Sequence, residues 1–182
     1  AATLVKETAQ QVALYKKAAE KFNSNAAQYN LAVTYIKMDE LNKAKNALES
    51  VEKDADWNNA MGVIALREDN LDEASKYFAA AGNETAKENA AVISILKGDY
   101  QAAAAALANA KGFNAALAQL LVGNNAPAAA LKCECAKTAY LRAVAAARNG
   151  DAEAVKTNLE AAKKCEKLAE RAAKDVEFAQ YR

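Results

Sequence analysis

Residues 90–107 read AAVISILKGDYQAAAAAL. An apolar run stops at Gly98 and Asp99, a tyrosine follows at position 100, and alanines then fill positions 102–106. Glycine reaches the left-handed conformation that ends a helix. Aspartate caps the helix that follows, and alanine propagates helix at low entropic cost. The stretch therefore predicts two helices joined by a tight turn, with Tyr100 filling the hairpin end. Two helices approach to about 8 Å only where the side chains at the crossing are small, and Ala91 and Ala103 are the residues placed for that contact.

The pattern recurs. LAVTYIKMDELNKAKNAL (31–48) and MGVIALREDNLDEASKYF (61–78) precede it; AALAQLLVGNNAPAAALK (115–132) and RAVAAARNGDAEAVKTNL (142–159) follow. Each copy opens on a small residue: Ala32, Gly62, Ala91, Ala116 and Ala143. Seven residues on comes a turn, at Asp39, Asp69, Gly98, Gly123 and Gly150, spaced by 30, 29, 25 and 27 residues. Five residues beyond each turn stands Ala44, Ala74, Ala103, Ala128 or Val155. Self-similarity at such a period signals stacked helical hairpins.

The composition agrees. One proline and six glycines in 182 residues leave most of the chain free to be helical. A net charge of +1, from 24 basic and 23 acidic residues, argues against nucleic acid, which requires a concentrated basic surface. No apolar run reaches the roughly 18 residues that span a bilayer. The chain opens on Ala1 with no signal-peptide pattern, so the expectation is a processed protein or an excised piece of a larger one.

The phased small residues and the Gly98-Asp99-Tyr100 turn resemble the tetratricopeptide repeat, over roughly residues 25–162. Positions 123–132 depart from it, with Asn125 in place of the aromatic and Pro127 at the start of the second helix, and Ala152 holds the aromatic position of the fifth unit. The units are also shorter than the family's usual length of about 34 residues. The resemblance implies an all-α fold, an α-solenoid forming one domain over 1–182. Its parts would be an N-terminal helix at 3–24, five hairpins at about 25–54, 55–83, 84–108, 109–135 and 136–162, and a C-terminal capping helix at 165–181. YNLAV, GNNAPAAALKCECAKTAYLRAVAAARNGD and AAKDVEF are further similar to the repeat region of large cell-envelope proteins of Bacteroidetes-type bacteria. That implies residence in the bacterial cell envelope, periplasmic or outer-membrane-associated; the alternative is the cytoplasm.

In the tetratricopeptide family the first-helix faces line a concave groove that binds a peptide or protein segment. The corresponding positions here are Val33, Val63, Val92, Leu117 and Val144, with Ile36, Leu66, Ile95, Leu120 and Ala147 three residues on. Two expectations stand. Either short units curve so tightly that these apolar rows bury one another, or part of the strip stays open for a partner. In the second case Tyr29, Val33, Lys37, Arg67, Phe113, Tyr140 and Arg148 are the partner-binding candidates, since aromatic and arginine anchors most often carry interface energy. The competing function is a structural spacer or assembly domain of a larger envelope protein, marked by a groove filled with the chain's own C-terminal helix.

No enzyme is expected. The chain has no histidine, so Ser-His-Asp and Cys-His arrangements are impossible. No Gly-rich phosphate loop appears, the acids lie in mixed-charge stretches, and no cofactor is implied. Of the three cysteines, Cys133 and Cys135 on a helix would point about 200° apart around its axis. Three thiols fall short of a structural zinc site's four ligands, so no metal is expected. The thiols are then either small buried hydrophobes or, for Cys133 or Cys135 with Cys165, a disulfide across one repeat.

Overall fold

The computed structural model describes the backbone of residues 2–181 and the side chains of residues 7–181. Among these residues every regular element is helical. They are α1 (Ala2–Phe22), α2 (Asn25–Lys37), α3 (Leu41–Leu48), α4 (Ala55–Arg67), α5 (Leu71–Ala81), α6 (Glu84–Leu96) and α7 (Tyr100–Ala106). Then follow α8 (Phe113–Leu121), α9 (Ala126–Ala129), α10 (Ala136–Arg148), α11 (Ala152–Ala162), α12 (Glu166–Lys174) and a final 3-10 segment, Val176–Tyr181. Where one domain over 1–182 is expected, the chain packs as two compact units, Ala1–Ile93 and Ser94–Arg182.

The five turns share one geometry. Asp39, Asp69, Gly98, Gly123 and Gly150 all take positive φ, between 62° and 91°. After each, the next amide reaches back to a carbonyl five residues earlier: Glu40 to Tyr35, Asn70 to Ala65, Asp99 to Ser94, Asn124 to Gln119 and Asp151 to Ala146. This is the Schellman pattern, in which a left-handed residue satisfies the orphan carbonyls of the helix it ends. Asn70, Asp99 and Asp151 then cap the following helix, accepting from the amides of Glu73, Ala102 and Ala154. A β-carbon on Gly150 would meet nothing within 4 Å. Gly150→Ala should therefore lose about 1–2 kcal/mol through backbone strain alone, read as a lower midpoint in urea with unchanged slope.

Ala32, Ala44, Ala74, Ala91, Ala103, Ala116, Ala128, Ala143 and Val155 are all buried, as is Gly62. In the first unit Ala32 and Ala44 share a core with Leu31, Tyr35, Ile36 and Leu48, and Phe78 centres a second cluster with Ala65, Ala74 and Ile93. The second unit has one core, running from Ala116 to Phe178. Successive hairpins touch within each unit. Arg67 reaches Asp39 at 3.1 Å, Asn89 donates to Asn59 at 3.0 Å, and Arg148 donates to the Leu120 carbonyl at 2.6 Å.

Four expectations need correction. The N-terminal helix ends at Phe22, because Asn23 turns left-handed at φ 45°; its Leu4 and Val5 lie outside the described side chains. Tyr100 does not fill the hairpin end and is 39% exposed. A helical side chain leans toward the preceding turn, and Gly98 and Asp99 there are themselves exposed. The capping helix over 165–181 is two pieces, broken where Asp175 becomes extended and accepts from the Glu177 amide. Cys133 and Cys135 are not on a helix, since α9 ends at Ala129 and α10 starts at Ala136. Arg142 explains the opening: its guanidinium takes the carbonyls of Leu131 at 2.8 Å and Cys133 at 3.2 Å, which a continued helix would need.

Candidate functional site

A roomy groove lies in the second unit. The segment 107–112 after α7, helix α8, Pro127 of α9, the irregular segment 131–135 and the first turn of α10 line a groove of about 1040 Å³. Leu107, Phe113, Ala116 and Leu131 form its apolar wall; Lys111, Lys132 and Lys137 are among its polar lining. Gln119 fixes one wall by donating to the Ala104 carbonyl at 3.0 Å, tying α8 to α7. Arg142 fixes the other by holding the 131–133 backbone out of the helix. The volume matches that of a large ligand pocket.

Cys133 and Cys135 also line this groove. Both are exposed and Cys165 is half-buried; all three are free thiols. Cys133 and Cys135 are thus not buried hydrophobes, because the released segment turns them outward. Cys135 stands at the N-cap of α10, and its Sγ lies 3.2 Å from the Thr138 hydroxyl. Hydrogen bonding to Thr138, then to Cys133, holds the Cys135 thiol down to about 7.

The partner candidates divide between the units. In the first, Tyr29 is half-buried against the core, and burial, then Asp56 and Asp54, raise its pKa. Val33 and Val63 are half-buried and Ile36 is buried, so the apolar strip is partly closed there. Lys37 is exposed at the end of α2, and Arg67 is paired with Asp39. In the second unit, half-buried Phe113 lines the groove.

Tyr140 and Arg148 are engaged by the chain's own C-terminal segment. Phe178 meets the Tyr140 ring edge-on, with centroids 5.6 Å apart, and the Tyr140 hydroxyl donates to Asp175. Arg171 stands over the same ring at 5.4 Å. Arg148 holds Glu177 through Nε at 2.9 Å and Nη2 at 2.6 Å, and the Tyr181 hydroxyl donates to the Ala147 carbonyl at 3.1 Å. Burial first, then Asp175, pushes Tyr140 up to about 12. The aromatic of AAKDVEF carried this contact in the sequence, but nothing there paired it with position 140.

No protein-family model matches the chain, and no curated protein matches it in sequence. Among the described residues, no helix is long and apolar enough to cross a membrane, and no group of three or more His, Cys, Asp or Glu could hold a metal ion.

Proposed function

We propose that the chain is a protein–protein interaction module, a tetratricopeptide-like α-solenoid that binds a peptide or protein segment and has no catalytic role. The observation that carries this reading is the open groove of about 1040 Å³ beside Phe113, apolar within and bordered by Lys111, Lys132 and Lys137. Its chemistry calls for an apolar or aromatic side chain flanked by carboxylates. The docked segment Asp175–Tyr181 is a ligand of that kind in miniature: Phe178 is buried while Glu177 meets Arg148. Residence in the bacterial cell envelope belongs to the same reading and rests on the sequence resemblance.

The test is calorimetric titration of the full chain with a synthetic peptide of sequence KDVEFAQY, an acidic aromatic probe taken from residues 174–181. Binding that weakens with salt is expected, because exposed lysines act through screened charge. Phe113→Ala should weaken it by about 2 kcal/mol, roughly thirtyfold, as for an interface anchor. No heat of binding, or an affinity indifferent to Phe113→Ala, would count against the groove as the site.

One observation favours the second reading, a structural spacer or assembly domain without a dedicated ligand. Tyr140 and Arg148 already have a partner in the chain's own C-terminal segment, the feature that marks a filled surface. That segment leaves the Phe113 groove uncovered, so the interaction reading is preferred.

A further inference from the structure

We propose that Cys133 and Cys135 form a dithiol–disulfide couple on the wall of the second unit's groove, exchanging with an organic disulfide. Two features of the fold carry this. The segment 131–135 is non-helical, so the two thiols are freed from the opposed directions a helix would impose. Two residues of chain span at most about 7 Å, and a disulfide needs α-carbons roughly 4.4–6.8 Å apart, so a modest bend suffices. The backbone already bends at Cys135. Both thiols are exposed and line a groove large enough to admit a disulfide-bearing molecule.

Electrostatics assigns the roles. Cys135 sits at the N-cap of the 13-residue α10, where the helix end favours an anion. The Thr138 hydroxyl lies against its sulfur. Lys132 and Lys137 flank the pair in the chain and Lys111 lines the same groove; Glu134, between the thiols, opposes them. Cys135 is therefore the attacking thiolate and Cys133 the resolving thiol.

The Cys135 thiolate attacks one sulfur of R–S–S–R. That bond breaks, Cys135–S–S–R forms, and RS⁻ leaves to take up a proton from solvent. Cys133 loses its proton to solvent and attacks the Cys135 sulfur, closing the Cys133–Cys135 bond and expelling the second RS⁻. Two protein thiols are oxidised and one disulfide is reduced to two thiols. Closure within so short a loop is strained, and strained exposed disulfides are the labile ones that pass oxidation onward. The couple needs no peptide ligand, so it stands or falls separately from the binding reading.

The test uses the full chain with oxidised glutathione as probe, read by intact mass and peptide mapping. The expected product has lost two hydrogens, carries a Cys133–Cys135 disulfide, retains no glutathione, and has released two glutathione thiols per chain. Cys133→Ser should instead accumulate glutathione on Cys135. In the unmodified chain the alkylation rate of Cys135 should titrate with a midpoint about 7. At pH 7 it should exceed that of an ordinary thiol only about threefold, since lower basicity offsets much of the gain in thiolate. The midpoint is therefore the sharper readout, and it requires no variant. Stable glutathione on the unmodified chain, a bridge from either cysteine to Cys165, or a Cys135 midpoint in the ordinary thiol range would each overturn the proposal.

Discussion

Phe78→Ala is expected to destabilise the first unit by about 3–5 kcal/mol, the range for truncating a fully buried phenylalanine. Phe78 is 2% exposed and packs across α5 onto α4. Its ring occupies the space above Gly62, where an added β-carbon would stand 2.5 Å from Cε1 and 2.6 Å from Cδ1. Gly62→Ala sets two effects against each other. Alanine gains about 1 kcal/mol of helix propensity over glycine, whereas overpacking a filled core costs about 1–3 kcal/mol. The ring is enclosed and cannot withdraw, so the clash should prevail, by up to about 2 kcal/mol. The sign should reverse in a Phe78→Ala background, where the same substitution fills vacated space and keeps its propensity gain. Denaturant unfolding of the four proteins measures this coupling. If Gly62→Ala stabilised the unmodified chain, α4 and α5 would not cross at that residue.

Phe178→Ala is expected to release the C-terminal segment from α10, at about 3–5 kcal/mol if the pocket cannot collapse. Phe178 is 1% exposed against Tyr140. Because the segment is terminal, the loss should appear as faster amide exchange over Val176–Tyr181 and earlier proteolysis there, ahead of global unfolding. Tyr140→Phe removes only the hydroxyl bond to Asp175 and should cost about 1–2 kcal/mol. The same bond gives a pH signature. The docked pKa of Tyr140 is raised from 10.0 to about 12, so the neutral form favours docking. Its contribution is complete below pH 10 and should be lost as pH rises through 12. Unchanged exchange in Phe178→Ala would mean that the segment is not held by its aromatic.

The hairpins were legible because their determinants are local. A left-handed residue at 39, 69, 98, 123 or 150 ends one helix through its own backbone, and a small residue seven positions earlier marks the crossing; both lie within one repeat. The cap at Asp99 was readable for the same reason. The groove was less so. Phe113 is legible as a partner residue, but Leu131, Lys132 and Lys137 are not, because 131–135 (LKCEC) holds no glycine or proline to mark a break from helix. What unwinds it is Arg142, seven to eleven residues on, also held by Asn158 at 2.9 Å. A side chain that takes distant carbonyls leaves no periodicity to read. Docking of Phe178 on Tyr140, 38 positions apart in the chain, is long-range in the same way. Pro127 was the visible warning: tolerated in the first turn of α9, it stands in a helix only four residues long.

The central claim is that the groove bordered by Phe113 and Leu131 receives an acidic aromatic segment. Chemical-shift mapping of the isotope-labelled full chain during titration with the KDVEFAQY peptide tests it most directly. The account predicts shifts concentrated at Leu107, Phe113, Leu131, Lys132 and Lys137, with the amides of Val176–Tyr181 unmoved because the C-terminal segment stays docked. Shifts confined to Tyr140, Arg148 and the 176–181 amides would show the peptide merely replacing that segment, and would contradict the groove as the binding site.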